Sequence, residues 1–278
     1  MLAILVLASL LAAPARIVST SPAITETLFA LGIGDRVVGV SEYCRFPARA
    51  AALPKVGSFL KPDAELIARL NPDLVLIHAS QNGVEGRLAR LGLRYAVVER
   101  GTVEHVRLAI ASIGEVVGMP HRASEVLASI DARMVAVRRA VAGKPRPRVL
   151  IVVSRRAGTL SDLVAVGRDG YLNELVAAAG GVNVLDDGGL PEYPRISMET
   201  VLRLKPDLVV DAADMGDTTG ERQARQKRVE ALWRAQPLLR AAGVRVVAGV
   251  SDAFFVPGPR MIEIATLMAA WFHGVRVG

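Results

Sequence analysis

The chain has 278 residues, of which 51% are hydrophobic, 22% charged and 4% aromatic, and its formal net charge is +7. This length favours two domains over one. The 34 Lys and Arg residues are interleaved with 27 Asp and Glu residues, and aromatic side chains are too sparse for a base-stacking platform. We therefore predict no nucleic-acid partner.

The N-terminal segment, residues 1–15, is an apolar run that ends on Ala13-Pro14-Ala15, an A-x-A pattern typical of signal-peptide cleavage. The apolar run is too short to span a bilayer. We predict that residues 1–15 are a signal peptide and that the protein is exported. The single cysteine, Cys44, cannot form an internal disulfide and is compatible with an oxidising compartment.

Strand-like runs alternate with helical segments through residues 16–119. The first strand leads into a helix for which we predict Ser21 as N-cap, Pro22 at the first position and Gly32 as terminator. Further helices and strands follow, separated by Gly and Pro. This alternation predicts an α/β lobe with a parallel sheet.

Residues 120–143 interrupt the alternation with one long amphipathic helix, which begins with Pro and ends with Gly. Its apolar positions recur at spacings of three and four, the period of a helix with one buried face. These positions are Leu127, Ile130, Met134, Val137 and Val141. Residues 144–278 then restart the alternation and predict a second α/β lobe.

A thirteen-residue phrase occurs once in each lobe, as ELIARLNPDLVLI at 65–77 and as ETVLRLKPDLVVD at 199–211, with seven identical positions. In both copies Pro ends a helix, and the apolar run after it predicts a parallel strand. The repeat predicts two similar lobes. Joined by one long helix, they would form a clamp, and clefts between domains are preferred ligand sites.

No catalytic motif is present. The sequence contains no G-x-S-x-G elbow, no phosphate-binding glycine loop and no H-x-x-x-H pair. Its histidines are far apart, at His78, His105, His121 and His273. We predict a protein that is not an enzyme and has no metal site and no cofactor. An exported metal-dependent or chelatase-like enzyme on a related plan would need clustered His, Cys and Asp ligands.

Three stretches carry a resemblance to a known family: RIVSTSPAITETLFALGIGDRVVGVSEYCRFP, LPKVGSFLKPDAELIARLNPDLVLI and PRISMETVLRLKPDLVVD. Joined by one long helix, they resemble the helical-backbone substrate-binding proteins of ABC importers. Within that family, GVSEYCRFP and SDAFFVPGPR are most similar to the cobalamin-binding branch.

The resemblance covers nearly all of the mature chain. It implies two Rossmann-like α/β lobes with parallel sheets, one backbone helix and a ligand cleft between the lobes. The implied function is periplasmic capture of a cobalamin-like corrinoid by a protein that is monomeric when free. The bound ligand would be delivered to the transmembrane permease dimer of an ABC importer.

The same resemblance implies an acidic residue on each lobe that docks on arginines of the permease. By position these residues are Glu65 and Glu199, the first residues of the two copies of the phrase. Each lies on a helix whose other face holds Leu or Ile, so its carboxylate is expected to face solvent. A carboxylate in that place is free to pair with a cation.

A corrinoid is large, flat and nearly neutral, so it needs apolar faces and a few hydrogen bonds. The resemblance implies aromatic contacts on both lobes and one acidic residue in the last loop. His78 lies where cobalamin binders often carry a large aromatic, while Val164 and Val256 replace other residues of the branch. The predicted ligand-binding residues are Tyr43, Phe59, His78, Tyr193, Asp252 and Phe254.

An iron chelate is the rival ligand. Arg155, Arg156, Arg168 and Arg195 could bind the anionic oxygens of a ferric siderophore or the propionates of haem. In a haem-binding member, Tyr43 or His78 would instead serve as an iron ligand. A third interpretation is a free scavenger or sensor domain that has no transporter partner.

Overall fold

The computed structural model describes residues 13–79, 83–186, 189–213, 222–249 and 251–277. The chain divides into two compact units. Unit 1 comprises residues 1–98 and 109–124, and unit 2 comprises residues 99–108 and 125–278. Residues 1–12 of the predicted signal peptide lie outside the described residues. Within the part that is described, no helix combines the length and the apolar character needed to cross a membrane.

Unit 1 has a four-stranded, all-parallel sheet of order β2-β1-β3-β4 with helices between the strands. Its elements are β1 (Ile17–Ser19), α1 (Pro22–Ala30), β2 (Val37–Val40), α2 (Ala48–Ala51), α3 (Ala64–Arg69), β3 (Leu74–His78), α4 (Val84–Arg90) and β4 (Tyr95–Val98). Every residue of β3 is buried, as expected for a central parallel strand covered on both faces.

The start of α1 agrees with the prediction from sequence. Ser21 adopts extended backbone angles and its hydroxyl accepts from the Ile24 amide at 3.3 Å, while Pro22 occupies the first helical turn. Gly32 follows the helix with a φ of 80°, which a residue with a β-carbon adopts only at a cost. These three residues fix where the chain enters and leaves α1.

Two long helices follow β4, and the division between the units falls within both. They are α5 (Val103–Val116) and α6 (Pro120–Val141). The predicted helix over 120–143 is α6, and the apolar positions from Ile130 to Val141 are buried as its periodicity indicated. The helix α5 and the grouping of residues 99–108 with unit 2 were not expected from the sequence.

Unit 2 has a six-stranded sheet in which β10, β9 and β5 run parallel, and β7 pairs in parallel with β5. Its elements are β5 (Arg148–Ser154), β6 (Leu163–Ala165), α7 (Tyr171–Ala178), β7 (Val182–Asn183), β8 (Arg195–Ile196), α8 (Met198–Leu204), β9 (Leu208–Asp211), α9 (Arg222–Arg234), α10 (Pro237–Ala241), β10 (Arg245–Ala248) and α11 (Met261–His273). The strands β6 and β8 pair antiparallel, a departure from the purely parallel sheet that was predicted.

The repeated phrase forms the same local structure in both units. In unit 1 the Asp73 carboxylate accepts the amides of Ala15 and Arg16 at 2.8 and 3.0 Å, just before β1. The Arg16 guanidinium donates in return to the carbonyls of Leu70 and Asn71 at the end of α3. We call this arrangement the Arg–Asp clasp. It fastens the first strand of the unit to the helix stop that precedes β3.

In unit 2 the clasp is built by Arg148 and Asp207. The Asp207 carboxylate accepts the Arg148 amide at 2.7 Å, and the guanidinium donates to the carbonyls of Leu204 and Lys205. Lys205 has a φ of 48°, and its counterpart Asn71 in unit 1 has a φ of 44°. The identical Pro-Asp pair of the phrase therefore has a structural role, because it ends a helix and fastens a strand in each unit.

Candidate functional site

Glu65 and Glu199 occupy equivalent places in the two units. Each is the second residue of a short helix, after the N-caps Asp63 and Ser197 respectively. Both glutamates are exposed. A carboxylate in the first helical turn is favoured by the helix dipole, and the exposure leaves it accessible to a cationic partner. The structure thus places both predicted docking residues at the surface of their own unit.

A surface pocket of about 670 Å³ in unit 1 includes Glu65 in its wall. The charged side chains that line it are acidic and basic in equal number, so its net charge favours neither an anion nor a cation. They are Glu42, Lys55, Lys61, Asp63, Glu65 and Arg87.

Phe59 and His78 lie side by side in unit 1, with ring centroids 5.7 Å apart in an edge-to-face arrangement. Nδ1 of His78 lies 2.8 Å from the Val98 carbonyl, which can only accept, so this nitrogen carries the proton. Nε2 lies 3.0 Å from the Ser21 hydroxyl, which can donate or accept. Because hydrogen bonds within unit 1 engage both ring nitrogens, the arrangement favours an aromatic packing role for His78 over metal ligation.

Tyr43 is the most exposed of the predicted aromatic contacts, with 57% of its surface accessible. It follows β2, two residues after the buried Ser41, whose hydroxyl lies 3.2 Å from the Cys44 sulfur. Burial raises the pKa of the Cys44 thiol, and hydrogen bonds from Ser41 and Thr25 offset only part of that shift. Cys44 is therefore a buried neutral thiol next to an exposed aromatic ring.

Tyr193 of unit 2 lies in the loop between β7 and β8 and is 41% exposed. The pKa of its hydroxyl is raised, first by burial and then by the charge and hydrogen bonding of the Glu192 carboxylate, while Arg100 acts weakly in the opposite direction. The hydroxyl is thus a neutral donor at physiological pH. The pairing with Glu192 was not foreseen from sequence, where only the adjacency of an acid and a tyrosine could have suggested it.

Asp252 and Phe254 lie on one short 3₁₀ turn, Asp252–Phe255. The Asp252 carboxylate pairs with both terminal nitrogens of Arg260, at 2.9 and 3.3 Å. Phe254 is fully buried in unit 2 and stacks on Trp271 with ring centroids 5.8 Å apart. Its carbonyl accepts a hydrogen bond from the Tyr171 hydroxyl. Phe254 therefore packs within its own unit, and its contact with a ligand stays a prediction.

Two of the four arginines that favoured an anionic ligand, Arg155 and Arg156, are engaged within unit 2. Arg155 is buried, and its Nε donates to the Asp211 carboxylate at 2.7 Å. Arg156 pairs with Asp162 at 2.8 Å. Residue type alone could not indicate that Arg155 is internal, because its partner Asp211 follows it by 56 positions. The charge of Arg155 is neutralised inside the unit.

Within the described ranges, no group of three or more His, Cys, Asp and Glu side chains is placed to hold a metal ion.

The chain is similar to known vitamin B12-binding proteins over most of its length. It is 28% identical over 260 residues to the vitamin B12-binding protein of Photorhabdus laumondii subsp. laumondii. That alignment covers 92% of this chain and 87% of the relative. It is also 28% identical over 258 residues to the vitamin B12-binding protein of Salmonella typhimurium, with 92% and 89% covered.

Solved structures with the same fold include proteins that bind different ligands. A periplasmic heme-binding protein from Roseiflexus sp. RS-1 matches with a TM-score of 0.77 and 27% identity, over 93% of this chain and 98% of that one. The periplasmic vitamin B12 binding protein of Vibrio cholerae matches with a TM-score of 0.75 and 22% identity, over 94% and 97%. At that lower identity the match shows the fold alone.

Residues 17–231 match the family described as periplasmic binding protein. This match spans most of the chain and includes both copies of the repeated phrase and the Arg–Asp clasp of unit 2. The resemblance inferred from the sequence is thereby confirmed, and the chain belongs to the periplasmic binding protein family.

Proposed function

We propose that this member of the periplasmic binding protein family captures a cobalamin-like corrinoid and delivers it to the permease of an ABC importer. The observation that carries the proposal is the 28% identity to vitamin B12-binding proteins over 92% of the chain. Because it covers 92% of the chain, the similarity extends through both units.

The local chemistry of the candidate residues supports a nearly neutral, flat ligand. Tyr43 and Tyr193 offer partly exposed aromatic rings, and Phe59 lies against the His78 ring. Arg155 cannot offer its charge to an anion without breaking its buried pair with Asp211. Aromatic rings with few free charges suit the faces of a corrinoid better than the carboxylates of an anionic chelate.

The second candidate function is the binding of haem or a ferric siderophore. It is favoured by the 27% identity to a periplasmic heme-binding protein and by the exposure of Tyr43, whose phenolate could bind iron. Tyr43→Phe separates the two ligands. It removes the only oxygen of this side chain that could bind iron and keeps the ring that would contact a corrinoid.

Ligand identity is tested by absorbance titration of the purified protein with cyanocobalamin, haemin and a ferric siderophore. We expect saturable 1:1 binding of cyanocobalamin and a change of less than about 3-fold in its Kd for Tyr43→Phe, since the ring stays in place. Binding of the iron compounds alone, with loss of the haem spectrum in Tyr43→Phe, would overturn the corrinoid proposal in favour of haem.

Permease docking is tested with the double charge reversal Glu65→Lys and Glu199→Lys. We expect unchanged ligand affinity and strongly reduced corrinoid uptake, because the variant presents like charges to the permease arginines. The matched control reverses Glu115 and Glu263, which are also exposed helical glutamates, one in each unit. Equal uptake by the two double variants would contradict the docking roles and favour a free scavenger.

A further inference from the structure

The short 3₁₀ turn that carries Asp252 is anchored inside unit 2 and presents one side chain to solvent. Asp252 alone is exposed in the fully described stretch 251–260. The two residues after it, Ala253 and Phe254, are fully buried. The Phe254 carbonyl accepts a hydrogen bond from the Tyr171 hydroxyl, which ties the turn to α7. The buried part of the turn therefore fixes where the Asp252 carboxylate lies on the surface of the unit.

Arg260 holds this carboxylate with both of its terminal nitrogens. Nη1 donates to Oδ1 of Asp252 at 2.9 Å, and Nη2 donates to Oδ2 at 3.3 Å. Two hydrogen bonds from a planar guanidinium fix the plane of a carboxylate as well as its position. The two side chains differ in exposure, at 11% for Arg260 and 44% for Asp252. The anionic half of the pair is therefore the half that an approaching molecule meets.

Two other ion pairs of unit 2 show what this difference in exposure means. Arg156 and Asp162 are both well exposed, at 68% and 55%, and such pairs hold their mobile side chains only weakly. Arg155 and Asp211 are both buried, at 4% and 0%, so a ligand cannot reach their charges. The pair at Asp252 combines a carboxylate that is held in one orientation with access from solvent.

The chemistry of this carboxylate favours one kind of ligand group. An ionised carboxylate only accepts hydrogen bonds and has about four lone-pair directions, of which the two bonds from Arg260 occupy one on each oxygen. The other directions can accept the N–H donors of a primary amide. A carboxylate on a ligand offers no donor and brings a like charge. The exposed half of the pair therefore favours ligands with amides over ligands with carboxylates.

We propose that Arg260 is a positioning residue that fixes the Asp252 carboxylate as an acceptor for the amide side chains of a corrinoid, and that the pair selects amides against carboxylates. This inference rests on the proposed capture of a corrinoid and narrows it to amidated forms. Because Arg260 orients the carboxylate before the ligand arrives, less conformational freedom is lost on binding. The charge of Arg260 is engaged by Asp252 and is not offered to a propionate or a siderophore carboxylate.

The first test compares cyanocobalamin with its b-, d- and e-monocarboxylic acids, in each of which a propionate replaces one propionamide. We expect the wild type to bind at least one acid about 10-fold or more weakly than cyanocobalamin. Asp252→Asn keeps the size of the side chain and can donate to a carboxylate, so it should reduce that ratio to below about 3-fold. Arg234→Met, which breaks an ion pair with Glu230 in the same unit, should keep the wild-type ratio.

The second test is a double-mutant cycle read by the Kd for cyanocobalamin. Arg260→Met should raise the Kd about 3- to 10-fold, and Asp252→Ala about 10- to 100-fold. If Arg260 acts through Asp252, the double variant should bind less than about 2-fold more weakly than Asp252→Ala. Arg260→Lys keeps the charge without the planar fork and should restore part of the affinity. Circular dichroism and thermal melting show whether Arg260→Met folds, and Arg260→Lys takes its place in the cycle if it does not.

The outcomes separate this inference from the proposed function. Equal affinity of the wild type for cyanocobalamin and all three acids overturns the selectivity, and additive losses in the cycle overturn the positioning role of Arg260. If the wild type binds haemin and not cyanocobalamin, the proposed function fails. The inference is then decided by Asp252→Asn. Tighter haemin binding in this variant supports the exclusion of carboxylates by Asp252, and unchanged or weaker binding overturns it.

Discussion

Asp211 is the residue of unit 2 at which we expect a single substitution to lower the free energy of unfolding most. Its carboxylate lies at the end of β9, fully buried, and accepts from Arg155 Nε and Trp233 Nε1, each at 2.7 Å. It also accepts from the Ala213 amide at 3.0 Å. Asp211→Asn keeps the shape of the side chain and removes its charge, which leaves the Arg155 guanidinium buried without a counter-ion.

Removing one partner of a buried ion pair destabilises a protein by about 3–5 kcal/mol, which is a large share of a typical total of about 5–15 kcal/mol. Arg155→Met should cost less, about 1–3 kcal/mol, because the carboxylate keeps its other two donors. The double variant removes both charges. The free energy of unfolding lost by the double variant should be smaller than the sum of the two single losses, by at least about 1 kcal/mol.

Urea unfolding followed by tryptophan fluorescence and far-UV circular dichroism measures these losses. Both tryptophans of the chain, Trp233 and Trp271, belong to unit 2, so fluorescence reports on the unit that is perturbed. A loss below about 1 kcal/mol for Asp211→Asn, or strict additivity in the double variant, would refute the claim that this pair is buried and coupled.

Two further predictions concern Cys44 and the clasps. The pKa of the buried Cys44 thiol is raised above 9.0, so the free energy of unfolding should fall as pH rises past that value, by up to about 1.4 kcal/mol per pH unit. Equal pH dependence in Cys44→Ala, measured by urea unfolding, would contradict this. Asp73→Asn should speed hydrogen exchange in β1 and spare β5, and Asp207→Asn should do the reverse, each costing about 1–3 kcal/mol. Equal exchange in both strands for either variant would count against local clasps.

Much of the fold could be predicted because local signals and tertiary structure agree. The N-cap Ser21 and the long helix that begins at Pro120 have the sequence signatures that the structure confirms. The repeated phrase predicted a helix stop and a parallel strand in each half, and α3 with β3 and α8 with β9 have this arrangement. The family and the two-lobed α/β fold are likewise confirmed.

The parts that were missed depend on contacts distant in sequence. The antiparallel strands β6 and β8 have three and two residues, too few for a hydrophobic period to be recognised. Residues 99–108 belong with unit 2 through contacts such as the Tyr171 amide with the Gly101 carbonyl at 3.2 Å. The burial of Arg155 and Phe254 could not be read from residue type either, because each has a partner far along the chain.

The sequence indicated which residues could belong to the candidate site, but it did not indicate which side chains surround them. Tyr43 and Tyr193 are partly exposed, as residues that meet a ligand must be, and Glu65 and Glu199 lie at the surface. The pairing of Arg260 with Asp252 was not evident, because it depends on side-chain geometry.

The clasp of unit 1 has a consequence for the maturation of the protein. Removal of the predicted signal peptide after Ala15 would turn the Arg16 amide into an α-ammonium group 3.0 Å from Oδ1 of Asp73. An ammonium has three donors and a full charge, so it could serve both carboxylate oxygens, and the carboxylate would raise its pKa. The new chain terminus would then form an ion pair in the clasp, tying proteolytic processing to the stability of the first strand. Arg148 lies in the interior of the chain, so the clasp of unit 2 would acquire no terminal ammonium group.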